Sequence, residues 1–361
     1  MKHRLALTVS GCSMLVALAV AVSASGEPVT PTGKEPMAHE FSLLPSLKHR
    51  AEQLLAHRKP LPEDRKALAA RCSAFRKRLV ECLGYMPPRD TPLSPRKEGE
   101  SAVAEGVVQE RIVYHVEPDV LVPAHIYRPA AATGRFPGIL LLHGWDFGKS
   151  DGLEAKLALA RAGYVVLLPD NRCSGERKDV GDQVNVVPVA GLLGMTFMGM
   201  NTFDNMRALD YLSSRDDVDA NRLACAGLCW GGMQAYVLAA LDQRVKVVCP
   251  VCGVSTYEAL AIDYTFRGGH TCLGTFIPNL LQYGDTQDIM ALIAPRPLLM
   301  QNNSNDAWFP LSGFGKVQQE LETAYRAWGH PERFEAHVDS TVHEITPEFT
   351  ARIIEWLRRF L

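Results

Sequence analysis

The sequence predicts an α/β fold, a mostly parallel central sheet flanked by helices, with an N-terminal helical extension before it. Three observations carry this. From about residue 100 onward, strand-like apolar runs alternate with helix-like runs, as in a parallel sheet covered on both faces. Upstream, residues 41–95 hold Leu68, Cys72, Phe75, Leu79 and Cys82 at helical spacing behind a Pro62-Glu63-Asp64 helix start. The 361 residues are 47% hydrophobic and 22% charged, enough for a large core. That composition excludes a disordered, collagenous or multi-span membrane protein. With 38 basic against 40 acidic residues, no basic excess points to nucleic acid.

The first 24 residues read as a secretory signal peptide. Lys2 and Arg4 form a basic start, Leu5–Val22 is mostly apolar, and Val22-Ser23-Ala24 offers a small-residue cleavage site. Alternatives are an uncleaved anchor helix and a lipoprotein modified at Cys12 in Val9-Ser10-Gly11-Cys12. The very short apolar stretch before Cys12 argues against the latter. Residues 25–40, with Pro28, Pro31, Gly33 and Pro36, read as a linker. Residues 41–95 form the helical extension and 96–361 the catalytic domain. The expected location is periplasmic or extracellular, with no membrane span after signal cleavage. Cys72 and Cys82 cannot pair on one helix, because ten residues of rise separate them by about 15 Å.

Within 96–361 the elements follow in order. Val107–Val116 and Val120–Tyr127 form an antiparallel opening pair. Strands are expected at Gly138–His143, Tyr164–Asp170, Arg222–Gly227, Val245–Val251, Pro297–Asn302 and Arg333–Val338. Helices are expected at Leu153–Ala162, Phe203–Leu212, Gly231–Leu241, Phe314–Trp328 and Pro347–Leu361. The stretch Lys178–Asn201, carrying Met195, Phe197, Met198 and Met200, lies where a cap over a pocket or ordinary core would fall.

The chemistry gathers at one junction. Leu223–Ala226 runs into Gly227-Leu228-Cys229-Trp230-Gly231-Gly232, and a helix follows: a G-x-C-x-G nucleophile elbow. Small neighbours let strand and helix approach closely around a strained nucleophile, and the helix N-terminus favours a thiolate. Gly148-Lys149-Ser150-Asp151-Gly152 matches the serine form of this motif but comes too early. There Ser150 is expected to cap the helix near Leu153. A nucleophile at Cys229 calls for an acid after the next-to-last strand and a base after the last. Asp306 and His343 occupy those places, whereas His330 precedes the last strand and His337 lies inside it. Oxyanion donors are expected from the backbone of Trp230 and of Trp145, with His143 as a packed organiser of the Trp145 loop.

From about residue 100 the chain resembles the α/β-hydrolase superfamily. Gly-Leu-Cys-Trp-Gly-Gly at 227–232 is similar to the elbow of dienelactone hydrolases, which use a Cys-Asp-His triad. Asp170-Asn171-Arg172, Gly175-Glu176-Arg177, Phe203 to Tyr211 and Ala294-Pro295-Arg296-Pro297 look more like bacterial acetyl-xylan-esterase-like hydrolases, whose elbow usually carries serine. The resemblance implies an α/β-hydrolase fold and a hydrolase of esters or lactones, which the signal peptide would export. Its substrate would be a small ester, a lactone or an acylated sugar, with no cofactor and no metal. Two readings from other classes stay open. One is a non-catalytic binding protein on the same fold. The other is a zinc-stabilised domain using Cys249, Cys252, His270 and Cys272, with disulfide pairing or plain packing as the alternatives for these residues.

Overall fold

The computed structural model describes residues 43–361, apart from 131–132, 146, 151–153, 179–181 and 261–272. The signal peptide, Cys12, the linker, His270 and Cys272 lie outside the described residues.

Two helices open the chain, α1 (Leu44–Ala56) and α2 (Arg65–Leu83). The Asp64 side chain caps α2 by accepting from Ala67 N at 2.8 Å, so the acid of the Pro-Glu-Asp start is the cap itself. The helical stripe predicted from sequence faces inward: Leu68, Phe75, Leu79 and Cys82 are buried in the main core.

Nine strands form one sheet among the described residues: β1 (Arg96–Ala104), β2 (Val107–Glu117), β3 (Val120–Pro129), β4 (Phe136–Leu142), β5 (Val165–Pro169), β6 (Val218–Leu228), β7 (Val245–Val251), β8 (Leu298–Asn303) and β9 (Phe334–Asp339). Their order is β1-β2-β3-β5-β4-β6-β7-β8-β9. The pairings β1–β2, β2–β3 and β3–β5 are antiparallel and the remaining five are parallel. The parallel strands are apolar on both faces, as a sheet covered on both sides requires.

The covering helices are α3 (Ala155–Arg161), α4 (Asp182–Leu192), α5 (Phe197–Ser214), α6 (Trp230–Leu241), α7 (Thr286–Ala291), α8 (Leu311–Trp328) and α9 (Pro347–Phe360). The larger core joins α2, α5, α6, α7 and α8 to one sheet face, and the smaller joins α3 and α9 to the other. Ion pairs tie the opening helices to this body. Arg58 reaches Asp288 on α7 at 2.8 Å and Glu320 on α8 at 2.7 Å, and Arg71 on α2 reaches Asp288 at 2.7 Å.

Several local expectations change. β1 was not anticipated, because its residues are mostly exposed and its polar side chains do not alternate. α5 begins six residues before Phe203, where Thr196 caps it by accepting from Gly199 N. Ser150 is not a cap: α3 starts after Glu154 with no side-chain cap. The seven described cysteines, Cys249 and Cys252 among them, are free thiols.

Candidate active site

The nucleophile position is built by the junction of β6 and α6. Cys229 sits between them at φ 58°, ψ −120°, a left-handed conformation that costs a cysteine roughly 1–3 kcal/mol. Its N–H donates to Val251 O on β7 at 2.9 Å, and its carbonyl accepts from Met233 N at 3.0 Å. Both flanking glycines are required by contact. A Cβ on Gly231 would stand 2.1 Å from Leu142 O, and one on Gly227 would stand 2.5 Å from the Gly231 backbone. The sequence thus places β4, β6 and the start of α6 in backbone contact around one thiol.

Asp306 and His343 arrive from the ends of β8 and β9. His343 Nδ1 lies 2.8 Å from Asp306 Oδ2. The other carboxylate oxygen, Oδ1, accepts from Trp308 N at 2.8 Å and Phe309 N at 3.1 Å, which fixes the carboxylate plane. Phe309 lies parallel to the imidazole, ring centroids 5.9 Å apart and planes within 4°. Burial alone would lower the imidazole pKa. Hydrogen bonds to Asp306 and to the Cys229 thiol, together with their charges, outweigh it and raise the pKa to about 10. The three predicted residues therefore meet in the order Cys229, His343, Asp306. His330 is in an exposed turn and His337 hydrogen-bonds Arg352, both away from this cluster.

The loop after β4 closes the other side. A Cβ on Gly144 would lie 3.5 Å from Cys229 Cβ, so the Gly144-Trp145 backbone runs beside the thiol. His143 is fully buried and organises the loop. Its Nε2 accepts from Asn171 N at 3.0 Å, which leaves Nδ1–H to donate to Gly144 O at 2.7 Å. Trp145, Phe197 and Trp230 pack as a trio with centroids 5.4–5.8 Å apart. Of the Lys178–Asn201 stretch, Phe197 thus joins the wall beside the site, while Met198 is fully buried in the core.

Two anchors of this region were not anticipated. The Gly-Lys-Ser-Asp-Gly segment supplies Lys149, a buried lysine whose Nζ meets Asp170 at 2.6 Å and also reaches Glu176. Asp170 accepts from Lys149 N at 2.6 Å and Glu176 N at 3.0 Å as well. Asp204 binds both Arg172 and Arg177 at 2.8 Å. The segments Asp170-Asn171-Arg172, Gly175-Glu176-Arg177 and Phe203 to Tyr211 thus contribute to two ion clusters, Lys149 with Asp170 and Glu176, and Arg172 and Arg177 with Asp204, joined where Arg177 donates to the Asp170 carbonyl at 3.1 Å. A lysine in a polar Gly-rich run was the only sequence signal of the first cluster, and a capping serine explained that run equally well.

Among the described residues one group has the spacing of metal ligands, Cys252, Asp306 and His343, whose ligand atoms lie within 4.8 Å of one another. The donors do not suit a metal. His343 Nδ1 is committed to Asp306, and burial, reinforced by Asp306, pushes the Cys252 thiol pKa up, so it stays protonated. Cys249 packs in the smaller core and is not part of this group.

A β-sheet flanked by helices, with the strained Cys229 turn after β6 and with Asp306 and His343 on the loops after β8 and β9, defines an α/β-hydrolase fold. Residues 122–276 match the dienelactone hydrolase family. The "Putative hydrolase YtaP" of Bacillus subtilis (strain 168) is 28% identical over 300 residues, covering 79% of this chain and 98% of that protein. Among solved structures, a "putative acetyl xylan esterase" from Bacteroides fragilis NCTC 9343 superposes with a TM-score of 0.67 at 17% identity, covering 82% of each chain. A glucuronoyl esterase from Solibacter usitatus gives 0.65 at 16% identity, covering 83% of this chain and 94% of that one. Over residues 122–276 the chain is similar to dienelactone hydrolases, and the comparisons support an ester-bond hydrolase on an α/β-hydrolase fold.

Proposed function

We propose that the protein hydrolyses carboxylic esters through a Cys229–His343–Asp306 triad and an acyl-enzyme. The carrying observation is the strained thiol at the N-terminus of α6, beside an imidazole that Asp306 holds at 2.8 Å from behind. In the first half-reaction the Cys229 sulfur attacks the acyl carbonyl, and its proton resides on His343. The alkoxide leaves with that proton, and the acyl group remains as a thioester. Water then attacks the thioester carbonyl while His343 takes its proton, and the carboxylic acid departs as Cys229 is released. In each half-reaction the tetrahedral oxygen would be held by the N–H groups of Trp230 and Trp145. The raised imidazole pKa makes His343 a strong acceptor for the thiol proton as the sulfur attacks.

The substrate we favour is an acylated or esterified sugar. Two exposed rings, Phe147 and Trp308, sit on the loops that carry the Trp145 backbone and Asp306, where a sugar face can stack. The names of the structural neighbours, acetyl xylan and glucuronoyl esterases, point the same way. We further propose that residues 1–24 direct export, which the mass of the mature protein checks.

The test is hydrolysis of p-nitrophenyl acetate by the full chain beside Cys229→Ala. Loss of activity in the variant supports the reading, and full turnover in it would overturn the triad. Absence of activity in both, extended to sugar acetates and glucuronoyl esters, would favour a binding protein on this fold.

A further inference from the structure

A buried pair beneath the site has no part in the reaction as written. Asn303 is the last residue of β8 and is fully buried. Its side-chain amide donates to Val342 O and, at 3.2 Å, to Glu344 O, the carbonyls on either side of His343. Its Oδ1 accepts from Thr341 Oγ1 at 2.7 Å. The same amide reaches Cys252 Sγ at 3.2 Å. Cys252 follows β7 directly, is fully buried, and takes φ 47°. Its thiol lies 3.7 Å from Glu344 O and within 4.8 Å of the Asp306 carboxylate and the His343 ring.

Resting on the proposed triad, we propose that Asn303 and Cys252 are positioning residues that set where His343 stands relative to Asp306 and Cys229. The argument is one of hydrogen-bond economy. The His343 loop has irregular backbone, and its carbonyls need donors once buried. Asn303 supplies them on both sides of the histidine and holds Thr341 with its oxygen, so one side chain grips three residues of a four-residue segment. Cys252 closes the figure by donating to Glu344, in the base loop, while packing against Asp306, in the acid loop. The ladder between the loops continues past the sheet, with Ser304 N donating to Asp339 O at 2.8 Å and Asn305 N to Thr341 O at 3.3 Å. An alanine at Asn303 would orphan those carbonyls and one at Cys252 would leave a cavity, while neither removes anything that touches substrate. The titratable groups facing the imidazole are Cys229 and Asp306, with Cys252 behind the carboxylate.

The experiment measures kcat, KM and the pH profile for p-nitrophenyl acetate in the full chain carrying Cys252→Ala, Cys252→Ser, Asn303→Ala or Thr341→Val. The imidazole proton resonances of His343 are recorded on the same samples. The proposal expects Cys252→Ala to lower kcat about 10-fold with KM little changed, and the His343 resonance and the profile to shift. Cys252→Ser, which keeps a donor, should recover to within threefold of the parent. Asn303→Ala should lose more, and Thr341→Val, on a partly exposed loop where folding is not at risk, a few-fold with the same direction of shift. An unmoved His343 resonance in Cys252→Ala and Thr341→Val overturns the proposal, as does a Cys252→Ser no better than Cys252→Ala. The resonance reads the grip on the histidine even if Cys229→Ala retained turnover, so a failure of the triad and a failure of the positioning pair give different results.

Discussion

Replacing Asp306 by asparagine keeps the shape of the side chain and its acceptor for Trp308 N and Phe309 N, but removes the charge behind His343. The imidazole pKa stands at about 10 against an ordinary 6.5, which corresponds to about 5 kcal/mol in favour of the imidazolium. Asp306 and Cys229 share that preference. Removing Asp306 should therefore take away roughly half, about 2–3 kcal/mol, or a factor of about 30–150 in any step that creates the imidazolium. A second loss adds to it. An amide NH2 turned toward Nδ1 favours the tautomer with hydrogen on Nε2, which cannot accept a proton from the thiol, and in comparable triads the combined effect reaches about 10⁴. Asp306→Asn is expected to lower kcat/KM for p-nitrophenyl acetate by about 10²–10⁴ between pH 6 and 9, in a variant that remains folded though less stable near pH 6. A folded variant within threefold of the parent across that range would refute the assignment of Asp306 as the acid.

Further outcomes follow from the same structure. A histidine whose pKa is raised on folding stabilises the protein fully below about pH 6.5, and that contribution fades as pH rises toward 10. The stability difference between the parent and His343→Gln, measured by urea unfolding, should be largest near pH 6 and shrink by pH 10; a difference that grows with pH contradicts this. Gly231→Ala places a methyl carbon 2.1 Å from the Leu142 carbonyl oxygen, backbone against backbone, and should yield no folded protein on expression. Gly144→Ala meets the exposed Phe147 ring at 2.9 Å instead, so it should fold and melt near the parent while losing at least about 10-fold in kcat/KM. Asp170→Asn leaves Lys149 buried beside the exposed Glu176 alone and should cost about 3–5 kcal/mol, read as a drop of roughly 6–15 °C in melting temperature.

The parts of the site legible in the sequence were those fixed by element order. Cys229 announced itself because glycines at 227 and 231 are forced by the close approach of β4, β6 and α6, and that requirement is local in sequence. Asp306 and His343 followed from position alone, one after β8 and the other after β9, and the 2.8 Å contact confirms that they meet. The hidden parts are long-range. Cys252 and Asn303 are 51 residues apart and meet only because β7 and β8 are neighbours. The Lys149–Asp170 pair joins two loops 21 residues apart, and nothing in a Gly-Lys-Ser-Asp-Gly run distinguishes a buried lysine from a solvated one. β1 escaped because an exposed edge strand is under no pressure to alternate. α4 escaped because Pro188 interrupts it.

The central claim is that Cys229 carries the acyl group between the two half-reactions. Rapid acid quench of the full chain with p-nitrophenyl acetate, followed by peptide mass spectrometry, tests it most directly. The account predicts an acetyl thioester on the peptide containing Cys229, labile to hydroxylamine, and none in Cys229→Ala. Turnover with no adduct on Cys229, or an acyl group found on another residue, would contradict it.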